Sequence, residues 1–146
     1  DQDFVFEAEI QPTISNRMAI LSKYAMSTES GKVTATGGWV WYLESTGKMS
    51  FYVEGRGLVA ESATLNPGFQ KIRIVRGFDS VKGYNSIKFF RNVANTGWED
   101  ITSPLIDNDL TGLNLSNNTD SPLVIGSVYD NSTAPGPQKG TYYKGN

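Results

Sequence analysis

Gly37-Gly38-Trp39-Val40-Trp41-Tyr42-Leu43-Glu44-Ser45-Thr46-Gly47-Lys48-Met49-Ser50-Phe51-Tyr52-Val53-Glu54 consists of two aromatic runs, each alternating with period two, around a short polar turn. Such alternation predicts a β-hairpin, because successive side chains of a strand point to opposite faces. With Ser45-Thr46-Gly47 as a three-residue bulged loop, Gly47 takes the left-handed position and Glu44 faces Lys48. One face then collects Trp39, Trp41, Leu43, Met49, Phe51 and Val53 and must be buried. The other carries Val40, Tyr42, Ser50 and Tyr52, a half-polar surface with two phenol rings. A four-residue loop would slip the pairing by one and set the tryptophans opposite Ser50 and Tyr52, a worse match across the sheet.

On the N-terminal side of the hairpin, Asp3 to Ile10 alternates strictly. Phe4, Phe6, Ala8 and Ile10 share one face and Val5, Glu7 and Glu9 the other, which predicts a half-buried strand. Gln11-Pro12-Thr13 stops it. Met18 to Tyr24 is apolar enough to be a short buried strand or a turn of helix, and the neighbouring β signals favour the strand. Residues 25–36 are small and polar and read as a loop.

On the C-terminal side, Gly55-Arg56-Gly57 breaks the pattern, Leu58-Val59-Ala60 is a weak strand, and Asn66-Pro67-Gly68 is a turn signal. Phe69 to Arg76 alternates again, with Ile72 and Ile74 inward and Lys71, Arg73 and Val75 outward. Asn85 to Val93 is the next candidate strand, with Ile87, Phe89 and Arg91 set against Lys88 and Phe90, a pattern that leaves its facing open. Asp107 to Asp120 is rich in Asn, Asp, Ser and Thr, and reads as an ordered loop pinned by Leu110, Leu113 and Leu115. Leu123-Val124-Ile125 and Val128 restore β character. Asp130 to Lys139 holds two prolines and reads as a turn or loop, and Tyr142-Tyr143 opens a last strand.

Roughly eight to ten short strands without helical periodicity predict an all-β fold, an antiparallel two-sheet β-sandwich of the jelly-roll kind. The 146 residues fit one domain. Thirteen basic side chains against 15 acidic ones, in no block of like charge, argue against a nucleic-acid footprint. The absence of Cys and His removes disulfides, thiolate nucleophiles, the usual zinc sites and any Ser-His-Asp triad. No stretch approaches the ~20 apolar residues of a membrane-spanning helix. A chain that opens on Asp1 reads as a processed product or a segment of something larger.

The order of these features resembles the laminin-G-like branch of the concanavalin-A-like lectin and glucanase superfamily. The resemblance runs through Phe4 to Pro12, Ile20 to Tyr24, the hairpin, Phe69 to Arg76, Ile87 to Asn92 and Asn117 to Gly126. At Gly68-Phe69 the chain departs from a Trp-His pair usual in that family. A closing strand normally follows a segment like Tyr142 to Asn146, so the resemblance implies a strand that is either absent from this chain or supplied by another chain or domain. It also implies a concanavalin-A-like fold, and it raises two chemistries to weigh, glycoside hydrolysis and calcium.

Retaining hydrolysis needs two carboxyls about 5 Å apart. Glu7 and Glu9 share a strand face, but Ala8 stands where the glucanase pattern has Asp, and no third acidic residue follows. A solvated pair is the better reading, and the chain reads as no enzyme. Asp107, Asp109 and Thr111 place oxygens at alternate positions before Gly112, as many calcium loops open, although position twelve is Asn118 rather than a bidentate Glu. Asx-rich turns arise also because Asn and Asp bond their own backbone.

Sugar recognition draws on aromatic faces that stack on the C–H face of a pyranose, with polar groups for its hydroxyls. Tyr42 and Tyr52 lie on the non-core hairpin face, and Trp98 and Tyr129, like Tyr24, Tyr142 and Tyr143, lie near loops. The sequence thus predicts a non-catalytic recognition module, most naturally for carbohydrate, on an extracellular, cell-surface or virion protein. The alternative is a structural or assembly module of a phage particle, making contacts with neighbouring protein subunits as a capsid decoration or tail-associated domain. A glycoside hydrolase is a distant third.

Overall fold

The computed structural model describes residues 3–12, 17–29, 32–113, 115, 123–126, 129–130 and 136–137, with 25–29, 32–37, 129–130 and 136–137 described through their backbone. Strands are β1 (Phe4–Ile10), β2 (Met18–Glu29), β3 (Lys32–Leu43), β4 (Lys48–Val53), β5 (Gly57–Thr64), β6 (Gln70–Asp79), β7 (Tyr84–Val93), β8 (Glu99–Asp100), β9 (Val124–Ile125), β10 (Tyr129–Asp130) and β11 (Gly136–Pro137). The described residues contain no helix. One sheet has the order β1-β6-β7-β8, and the other runs β11-β10-β2-β3-β4-β5, with β9 also on β2.

The hairpin β3–β4 has the register its alternation requires, with Trp39 opposite Val53, Trp41 opposite Phe51 and Leu43 opposite Met49. Gly47, at φ 79°, sits in the left-handed region that an L side chain resists. Its N–H donates to Glu44 O at 2.9 Å, and Glu44 N donates to Lys48 O at 2.8 Å. The inward face is sealed: Trp39, Trp41, Leu43, Met49, Phe51 and Val53 are all buried.

Across the layer, the first sheet supplies Ile10, Ile72, Ile74, Ile87 and Phe89, with Phe4 and Phe6 at the margin of the same cluster. Phe4 stacks on Trp39 at 5.6 Å between centroids, and Trp39 on Phe51 at 5.2 Å, which ties β1 of one sheet to the hairpin of the other. Each large side chain buried this way contributes about 1.5–3 kcal/mol of transfer free energy. The sheets are also stitched along one side. Ile101 N donates to Phe89 O, Ala63 N to Ile101 O and Ser103 N to Glu61 O, so residues 101–103 pass from β7 to β5.

Two departures from the sequence reading, and one irregularity within a strand it expected, stand out. Residues 25–29 and 32–36 are strand rather than loop, because β2 and β3 stay paired through Met26–Ala35, Ser27–Thr34 and Thr28–Val33. Thr and Val suit a pleated backbone, and small polar side chains merely weaken the hydrophobic signal. Residues 136–137 pair with β10 rather than forming only a turn, and β10 runs parallel to β2 within an otherwise antiparallel sheet. The continuous apolar run Met18–Leu21 reflects a register shift in β2 between Ala19 and Leu21. An extra residue there lets Ile20 and Leu21 both reach the main core, while Ala19 faces outward into a second cluster.

Gly38 marks a second irregularity, beside the shift between Tyr24 and Met26. Its φ is +105°, and a Cβ built there would lie 1.8 Å from the carbonyl oxygen of Lys23. Only glycine lets β2 and β3 approach so closely at this point. The expected strand at Tyr142-Tyr143 lies outside the described residues.

Candidate binding site

On the outer face of the second sheet, Ala19 and Val40 are buried, with Tyr24 and Tyr42 packed against them. Ser22 and Ser50 on the same face are also buried. Register explains the grouping, since Ala19 is opposite Tyr42, Ser22 opposite Val40, and Val40 opposite Tyr52. Tyr42 and Tyr52 meet edge to face at 5.7 Å and 76°, a favoured arrangement of two ring quadrupoles.

Arg17, just ahead of β2, reaches over both rings. Its guanidinium carbon is 5.0 Å from the Tyr42 centroid and 5.2 Å from that of Tyr52, within cation–π range. Its Nε donates to Glu44 Oε2 at 2.6 Å and its Nη2 to the Tyr52 hydroxyl at 3.3 Å. The Ser50 hydroxyl donates to the other Glu44 oxygen. The hydrogen bond to Glu44 holds Arg17 still more firmly protonated than usual. Arg17 is thus committed to Glu44 and the rings.

Beside this group lies a hollow of about 380 Å³, lined by Arg17, Tyr24, Val40, Tyr42, Tyr52 and Val53 and by the turn from Glu54 to Gly57. The Tyr24 hydroxyl donates to Glu54 Oε2 at 2.9 Å. Burial, reinforced by the bond to Glu54, raises the Tyr24 phenol well above its ordinary range. Burial likewise raises Tyr42, against the opposing pull of Arg17. Both rings therefore stay neutral donors over the physiological range. Glu54 N donates to Gly38 O at 2.9 Å and Arg56 N to Val53 O at 3.1 Å, which fixes the turn while the Arg56 side chain stays exposed. Among the described residues the Arg56 guanidinium makes no direct hydrogen bond or ion pair, and its charge acts at longer range on Asp109.

Of the residues predicted to bind a ligand, Tyr42 and Tyr52 come together here and Trp98 does not join them. Trp98 lies over the outer face of the first sheet, where the Arg73 guanidinium carbon sits 3.8 Å from its ring centroid. Arg73 in turn pairs with Glu7 at 2.6 Å. Tyr129 has its backbone beside Ala25 of β2, and its side chain is outside the description. Glu7 and Glu9 face Arg73 and Lys71 in register across β1 and β6, and both are exposed.

In the Asp107–Gly112 loop, Asp107 Oδ1 accepts from Asp109 N at 3.2 Å, and Asp109 Oδ1 accepts from Thr111 N at 2.7 Å. These are successive Asx turns. The bonds from Thr111 lower the Asp109 carboxyl. Asn108 anchors the loop, its amide donating to Ile87 O while its carbonyl accepts from Lys82 Nζ, each at 2.8 Å. Leu110 and Leu115 are buried, as the pinned-loop reading requires. Among the described residues no three acidic side chains gather as a metal group.

The sequence reading missed Arg17, Glu54 and Arg56 as members of the hollow. Arg17 belongs to no alternating pattern, and Glu54 to Arg56 read only as a break after the hairpin. Their signal was charge at the hairpin's outer margin, visible once the tyrosine face is taken as a site. No family model, no curated protein and no solved structure matches the chain.

Proposed function

We propose that this protein is a non-catalytic recognition module that binds carbohydrate in the hollow on the outer face of the second sheet. The observation that carries this reading is the meeting of Tyr24, Tyr42 and Tyr52 around one concavity of about 380 Å³ whose rim holds Glu54 and Arg56. That volume falls within the range of small-ligand sites, roughly 300–1,000 Å³. Phenol rings offer edges and faces to sugar C–H groups, and the neutral Tyr hydroxyls with Glu54 offer partners for sugar hydroxyls.

The finer fold, a jelly roll of the concanavalin-A-like and laminin-G-like kind, belongs to this proposal. So does an extracellular, cell-surface or virion setting. Calcium at Asp107, Asp109 and Thr111 is an accessory to it: the bound ion raises the melting temperature and a chelator reverses the rise. An unchanged transition would leave those turns purely structural. The hollow itself is tested by isotope-edited NMR with a panel of neutral and acidic oligosaccharides, which shifts resonances of the Glu54–Gly57 turn.

Exposed apolar side chains favour a second reading, an assembly module of a phage particle. Val81 and Leu105 stand 94% and 86% exposed, with Phe78 and Ile125 also well exposed. Such side chains gain most from a protein neighbour. Concentration-dependent sedimentation that Val81→Ser and Leu105→Ser abolish would support it.

A further inference from the structure

Resting on the carbohydrate reading of the same hollow, we infer that its ligand is an acidic sugar, a pyranose bearing a carboxylate, and that Arg56 receives that carboxylate and sets the preference. The charges around the hollow are unequally engaged. Arg17, the other cation at the hollow, is held by Glu44 at 2.6 Å and by the hydroxyl of Tyr52. An anion drawn to Arg17 would compete with the Glu44 carboxylate, whose side chain is 13% exposed and which already offsets that charge. Glu54 is likewise engaged, by the Tyr24 phenol.

Arg56 is the less committed cation, its charge acting on Asp109 without a direct ion pair. It projects from a turn whose backbone is fixed at Val53 O and Gly38 O, and it has no ion-pair partner among the described residues. Gly55 and Gly57 flank it at φ 76° and 81°, and a Cβ at either would meet nothing within 4 Å. The backbone beside Arg56 is therefore uncrowded, and its side chain is exposed. A guanidinium is a planar fork whose paired N–H groups match a carboxylate. The chain as a whole carries a net charge of −2, so an anionic ligand gains no attraction from the protein at large. Its recognition must come from a local cation.

The test uses two matched pairs, trigalacturonate against its methyl ester and sialyllactose against lactose, measured by calorimetry on the intact chain and on Arg56→Gln and Tyr52→Ala. At least one acid should bind about tenfold tighter than its neutral partner, the effect of one charge-assisted hydrogen bond. That advantage should shrink with added salt and vanish in Arg56→Gln, while the melting temperature of this exposed-site variant stays unchanged. Neutral and acidic partners binding equally, both weakened by Tyr52→Ala, would overturn the acidic preference and leave the carbohydrate site standing. A preference that survives Arg56→Gln would also overturn it. No binding by any of the four, nor by the wider oligosaccharide panel, would remove both the inference and the reading beneath it.

Discussion

On the outer face of the first sheet Glu7 meets Arg73 at 2.6 Å, Trp98 lies over the guanidinium, and Val5 stands 56% exposed. On the outer face of the second sheet Ala19, Val40, Ser22 and Ser50 are buried and three tyrosines surround a hollow. Both faces are built from strands that alternate, and both carry aromatic side chains. The first meets water with charges paired across neighbouring strands. The second has a small apolar floor under half-buried rings, with the exposed Arg56 at its rim. An aromatic ring near a loop is therefore not evidence of a site by itself, because Trp98 is spent on Arg73 while Tyr42 and Tyr52 border open space.

The largest effect should come from Gly38, on which the approach of β2 and β3 depends. Gly38→Ala places a methyl group into the Lys23 carbonyl at a positive φ, and should cost about 4 kcal/mol, read as a collapse of the denaturation midpoint. A near-normal midpoint would show that the close approach is not needed to hold the tyrosine face together. Next comes a matched pair of valines on the two outer faces. Val40→Ala should cost about 2 kcal/mol in chemical denaturation, because its side chain is 1% exposed, whereas Val5→Ala should stay within about 0.5 kcal/mol. Equal costs would erase the distinction between a second small core and a solvated face.

Alkaline pH separates the faces in another way. Tyr24 and Tyr42 have folded pKa values raised above the ordinary phenol value of about 10, chiefly by burial. Their contribution is fully present below the unfolded pKa and is lost as pH rises from there through the folded one. Melting should therefore weaken progressively above about pH 10, and Tyr24→Phe should flatten part of that slope. A profile identical in Tyr24→Phe would place the alkaline loss elsewhere. The smallest effect belongs to the first sheet: a double-mutant cycle of Glu7 and Arg73 should give a coupling of about 0.5 kcal/mol that salt diminishes, since both side chains are partly exposed.

The hairpin was legible to the level of register, because alternation and Gly47 act together and a one-residue slip would bury the wrong face. Phe4 to Ile10, Ile72 and Ile74 were legible for the same reason, whereas Ile87 and Phe89 alternate with Lys88 and Phe90, and Phe90 blurs which face is apolar. Residues 25–36 were not, because Thr, Ser, Ala and Val pair well as strands yet leave no hydrophobic period. The bulge at Ile20 hid behind an apolar run that alternation alone cannot parse. In the site, Tyr42 and Tyr52 followed from the hairpin's second face, but Arg17 arrives from 35 residues before Tyr52 and Glu54 is fixed by Tyr24, 30 residues away. Those contacts exist only once β2, β3 and β4 lie side by side, and the contact that carries Trp98 to Arg73 only once the first sheet has formed.

The most direct test of a recognition surface on the second sheet compares Tyr42→Ala and Tyr52→Ala with Trp98→Ala on an immobilised panel of neutral and acidic glycans. The tyrosine variants should lose about tenfold or more in affinity for whichever glycan the intact chain holds, and Trp98→Ala should retain it. Binding that survives loss of both tyrosines and disappears with Trp98, or no binding by the intact chain to any glycan on the panel, would contradict the account.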